Sequence, residues 1–63
     1  MSKIFQIGDV VSWNDRIGLS TMILTGEIKG IDGEILTIFQ YEINFKNSTV
    51  RSAIVKKNKN SIL

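Results

Sequence analysis

The side chains here that could carry chemistry are six carboxylates, Asp9, Asp15, Glu27, Asp32, Glu34 and Glu42, and eight lysines and arginines. There is no histidine and no cysteine. Imidazole acid–base schemes and Ser-His or Cys-His nucleophiles therefore lack their parts. Zinc and haem lose their usual ligands. Paired carboxylates cleave glycosidic bonds only across a cleft that fixes their separation, and a chain of 63 residues is too short to build a deep one. Asp9 and Asp32 each adjoin a glycine, and a turn is reason enough for both. Gly26, Gly30 and Gly33 spell G-x-x-x-G-x-x-G, which is neither a dinucleotide fingerprint nor a Walker loop. The residues thus point to no catalytic group, metal site, cofactor or small-molecule substrate, and the expected class is a non-enzymatic binding module.

Two binding chemistries remain. In the first, Lys29, Lys46, Arg51, Lys56, Lys57 and Lys59 contact phosphates, while Phe39, Tyr41 and Phe45 offer rings on which bases stack. The formal net charge of +2 is mild for that role, and Glu27 and Glu42 are interleaved with the cations. In the second, an apolar face binds a protein or a second copy of the chain. Leu36 and Ile38 alternate with Ile35, Thr37, Phe39, Tyr41 and Ile43, and strand periodicity puts the two sets on opposite sides. If Leu36 and Ile38 are core, Ile35, Phe39, Tyr41 and Ile43 form an exposed apolar face, which usually marks an interface. Nucleic acid is the leading expectation for the partner. A protein-interaction or inhibitor module, or a homodimer, is the alternative.

The elements that must position these residues read as strands. Ile7 to Trp13 is the first, opened by the turn pair Gly8-Asp9, with Val11 and Trp13 on one face. Asn14 to Gly18 reads as a polar loop. Thr21 to Ile31 is a second strand with Met22, Leu24, Gly26 and Ile28 on one side, and Gly26 predicts a bulge or bend. Asp32-Gly33 between two β-rich runs is a strong hairpin signal, and a third strand follows over Glu34 to Ile43. Phe45 to Ser48 reads as a turn and Thr49 to Arg51 as a short strand. Ser52 to Val55 reads as one helical turn leading into a last short strand. A rival reading makes Ser48 to Lys57 a helix, although its β-branched residues weigh against it. The residues from about Lys56 onward read as a frayed basic tail. The expected core is Val11, Trp13, Ile28, Leu36, Ile38 and Ile54.

These observations predict an all-β fold of about five short antiparallel strands in a single domain over residues 1–63. The order Gly8-Asp9-x-Val11, Gly26-x-Ile28-x-x-Ile31, Leu36-x-Ile38, Thr49-Val50 and Ile54 resembles the KOW pattern and, more widely, SH3-like barrels. The resemblance covers roughly Ile7 to Lys57. It implies a small closed barrel and a partner that is RNA or protein, in a transcription, translation or phage context. The stretch from Asn14 to Thr25 departs from a KOW segment, being longer and without its basic, glycine-rich character.

Size and composition limit the rest. A domain of about 60 residues buries only about 60% of its unfolded surface, and with no cysteine it has no disulfide to compensate. The opening residues are broken by Gln6, Gly8 and Asp9 and are not expected to be a signal peptide. No apolar run approaches the length of a membrane span. A cytoplasmic location is expected from the lack of cysteine. Eleven isoleucines, many lysines and asparagines, and no proline suggest a bacterial or phage source.

Overall fold

A computed structural model describes residues 4–44 and 49–63, with Ile17 described by its backbone alone. The expected turn at Phe45 to Ser48 lies outside the described residues. The fold is all-β: β1 (Val10–Ile17), β2 (Ser20–Asp32), β3 (Ile35–Gln40), β4 (Ile43–Asn44), β5 (Thr49–Val50) and β6 (Ala53–Asn58), then a 3-10 turn at Lys59–Ser61. Four strands form one antiparallel sheet in the order β1-β2-β3-β6, and β4 pairs with β5 in a small second sheet.

Glycines with positive φ set the two tight hairpins. Ile17 pairs with Ser20 around Gly18 and Leu19, and Asp32 pairs with Ile35 around Gly33 and Glu34. Gly18 and Gly33 have φ of 61° and 60°, and no other residue type takes a positive φ among the described residues. Glycine at the first of two loop positions is the arrangement whose twist matches the flanking strands. The hairpin expected at Asp32-Gly33 is thus present, with Gly33 and Glu34 as its loop. The first hairpin replaces the expected loop: Asn14 to Ile17 continue β1 by pairing with Ser20 to Ile23.

The core lies on one face of the larger sheet. Trp13, Leu24, Ile28, Leu36, Ile38 and Ile62 are buried, with Phe5, Val11, Met22, Ile43, Val50 and Val55 packed around them. Four expected core residues, Trp13, Ile28, Leu36 and Ile38, lie within it, and Val11 is half-buried. Ile54 was expected inside but is 61% exposed. The register explains the correction. Val55 stands opposite Ile38 and Ile54 opposite Phe39, so alternation turns Val55 inward and Ile54 outward.

Gly26 does not mark the bulge. The register of β2 slips between Ile28 and Gly30, leaving Lys29 as the extra residue. Gly26 instead permits close approach, because a Cβ there would stand 2.7 Å from Ile38 Cγ2 and nearer still to the Phe39 carbonyl oxygen.

The C-terminal segment is also unlike its expectation. Lys56 to Asn58 complete β6, Asn58 Oδ1 accepts from Asn60 N at 2.9 Å, and the helical turn comes at Lys59–Ser61, after the last strand. Ile62 then forms a single antiparallel bridge with Trp13, and Leu63 N donates to the Ser12 carbonyl at 2.9 Å. These contacts bring Ile62 and Leu63 to β1, but a closed barrel is not found: among the described residues β1 and β6 are not paired with each other.

Candidate interaction face

The register builds the outer face of the four-stranded sheet residue by residue. Val10 stands opposite Glu27, Glu27 opposite Phe39, and Phe39 opposite Ile54, one residue from each strand. Strands are about 4.8 Å apart, so this row spans about 14 Å. Val10 and Ile54 at its ends are both exposed, and Phe39 between them is half-buried. Two residues along the same face, Ser12 and Thr25 share a hydrogen bond of 3.1 Å, and Tyr41 N donates to the Thr25 carbonyl at 2.9 Å. The Phe39 and Tyr41 rings meet edge to face, with centroids 6.1 Å apart, a geometry favoured by the ring quadrupoles. Ile23 and Ile35 add exposed apolar surface to this face.

Of the residues expected at an apolar interface, Phe39 and Tyr41 meet here, and Ile35 shares the face four residues away along β3. Ile43 is not with them. It lies in β4, half-buried and packed against the core cluster, because regular β3 ends at Gln40 and the alternation that placed Ile43 beside Tyr41 stops there. Sequence reading missed Val10 and Ile54, whose sides follow from the pairing register. It also missed Gln40, a buried polar residue whose Nε2 donates to the Arg51 carbonyl at 3.2 Å and so ties the end of β3 to the chain before β6.

The basic residues do not converge on one patch. Lys29 is paired with Glu27 at 2.9 Å. Lys57 belongs to the inner side of β6, where its ammonium sits 6.0 Å from the Trp13 ring centroid and 3.8 Å from the Asp15 carboxylate. Cations placed over an indole face are attracted by its quadrupole, so Lys57 is engaged beside Trp13 and Asp15 on the inner side of the sheet. Trp13 Nε1 is buried with no hydrogen-bond partner among the described residues. Lys56 is exposed on the outer face, opposite Thr37. Arg51 is exposed before β6, and Lys59 opens the 3-10 turn, its N–H donating to the Glu34 carbonyl at 2.9 Å. Lys46 lies outside the described residues.

Among the described residues, no three carboxylates gather closely enough to hold a metal ion, and no helix is long and apolar enough to cross a membrane. Comparison with family models, with curated proteins and with solved structures finds no match for this chain.

Proposed function

We propose that this chain is a non-enzymatic protein-binding module that uses the outer face of its four-stranded sheet. The observation that carries the reading is the row Val10, Glu27, Phe39, Ile54, which places exposed aliphatic side chains at both ends of a row across the sheet, with the half-buried Phe39 between them. Exposed apolar side chains that share one sheet face, here Val10, Ile23, Ile35 and Ile54, favour an interaction surface. An SH3-like arrangement goes with this reading. Its support is the order β1-β2-β3-β6 followed by a 3-10 turn and a return to β1 through Ile62. A cytoplasmic, bacterial or phage setting rests on composition alone.

Nucleic acid is the second reading, favoured by Lys56 on the same face as the Phe39–Tyr41 pair. It is weakened by the ion pairs that engage Lys29 and Lys57. A pull-down with nuclease treatment separates the two. On the first reading, capture survives nuclease and high salt with wild type and fails with a folded Ile54→Lys variant. On the second, capture is lost on nuclease treatment and falls steeply with salt.

A further inference from the structure

We propose that the β6 flank of this face takes an acidic, extended segment of another protein, which adds to the sheet as a strand beside β6. The inference rests on the reading of the chain as a protein-binding module and names the chemistry and pose of its partner. Three observations carry it.

The first is the main chain. Ala53, Val55 and Lys57 stand opposite Gln40, Ile38 and Leu36, and Lys59 N donates to the Glu34 carbonyl at 2.9 Å in the same register. That bond sets the phase of the ladder, because residues of an antiparallel strand turn their N–H and C=O groups alternately toward and away from the partner. Ala53, Val55 and Lys57 therefore turn theirs to β3, and Ile54 and Lys56 turn theirs away. Among the described residues no strand lies beyond β6, and neither Ile54 nor Lys56 has a partner for these groups. Unpaired donors and acceptors along an edge are a template for a further strand.

The second is the contrast with β1, the other edge of the sheet. Trp13 is bridged to Ile62, Leu63 N donates to the Ser12 carbonyl at 2.9 Å, and Arg16 N donates to Asp15 Oδ1 at 2.8 Å. The chain's own end and an aspartate occupy that edge, so β6 is the edge left to a partner.

The third is charge. All six acidic side chains lie at or before Glu42, whereas Arg51, Lys56, Lys57 and Lys59 follow along β6 and its two ends. These cations make no patch on one face, but they lie in line, as an extended chain does. Lys57 is engaged by Asp15, while Arg51 and Lys56 are exposed and have no ion pair among the described residues. Lysines on an edge strand oppose the addition of apolar or basic strands, and the same charges favour an acidic one. Phosphates accept from N–H groups but leave the outward C=O groups unpaired. Ile54, 61% exposed on the outer side with Lys56, adds an apolar contact. The matching segment therefore alternates apolar and acidic residues along that side.

The probe is a capped peptide that repeats Thr-Val-Thr-Glu twice, which sets Val and Glu in turn along one side. At millimolar peptide, amide exchange followed by NMR should slow about tenfold at Ile54 and Lys56, while Val55 and Lys57, already turned to β3, stay unchanged. The same peptide with Glu replaced by Lys, or N-methylated at alternate residues so that it offers β6 no N–H, should leave all four unchanged. Lys56→Glu, at an exposed position, should lose the acidic peptide and take up the lysine one, with an unchanged melting curve. No slowing at Ile54 and Lys56 with the acidic peptide, or equal slowing with either control, would overturn the inference. Slowing there by single-stranded DNA in place of the peptide would overturn it in favour of phosphate. If the inference falls while the pull-down still captures a protein in an Ile54-dependent, nuclease-resistant way, the interface reading stands and only the added strand falls. If that capture is absent too, both fall.

Discussion

Ile54 stands directly opposite Phe39 on the β3–β6 ladder, on the face turned away from Trp13. The next pair, Val55 with Ile38, faces the core. Adjacent residues of one strand thus serve opposite sides of the sheet, and substitutions at the two faces should have separable consequences.

The inner side carries the stability. Ile38 is fully buried among Trp13, Leu24, Ile28 and Leu36, and Ile38→Ala should cost about 2–5 kcal/mol through lost burial and the cavity left behind. Ile54→Ala should change stability by no more than about 0.5 kcal/mol, as is usual for exposed positions. Urea titration followed by tryptophan fluorescence compares them. Equal losses would contradict the assignment of faces.

Gly26 is required by its neighbour. A methyl group there meets the Phe39 carbonyl and Ile38 Cγ2, and backbone cannot yield as a flexible side chain does. Gly26→Ala should therefore destabilise by about 1–3 kcal/mol, even though alanine ordinarily suits a strand better than glycine does. A melting temperature equal to or above wild type would show that β2 and β3 do not approach this closely.

The last residues belong to the fold. Ile62 is buried against Trp13 and bridges it, so Ile62→Ala should cost about 2–5 kcal/mol. Neighbouring Leu63, 59% exposed, should tolerate alanine. Amide exchange offers an independent check, since Leu63 N–H bonded to Ser12 should be protected, whereas a frayed tail would exchange at the rate of free peptide.

Alternation read on its own placed Met22, Leu24 and Ile28 of β2 and Leu36 and Ile38 of β3 inward correctly, because large apolar side chains recur there at period two, as far as the bulge at Lys29. The misassigned residues lie where local signals are silent. Ile54 and Val55 are both β-branched, and either could face the core until pairing with β3 decides between them. The run Lys56 to Asn60 looks like a solvated tail because its inward members are Lys57, whose long stem can cover Trp13, and the polar residues of a 3-10 turn. Ile43 was expected on the interface because the strand pattern continues in letters beyond Gln40, although the regular strand does not.

The dispersed cations lead to a prediction about salt. With Lys29 and Lys57 engaged by Glu27 and Asp15, titration with single-stranded RNA or DNA at low ionic strength should show weak binding. Its salt dependence should correspond to about two or three phosphate contacts rather than six. Lys56→Gln should reduce that slope by about 0.7. A slope near four, at about 0.7 per contact on a single strand, would mean that the sequence-expected set, Lys29, Lys46, Arg51, Lys56, Lys57 and Lys59, acts together, and it would favour the nucleic-acid reading.

The central claim, that the outer face binds a protein, is tested most directly by a pull-down from nuclease-treated lysate at high salt. The account predicts that wild type captures a protein there, while an Ile54→Lys variant with an unchanged melting curve does not, because Ile54 is exposed on that face. Capture by wild type that is lost on nuclease treatment, or equal capture by Ile54→Lys, would contradict it.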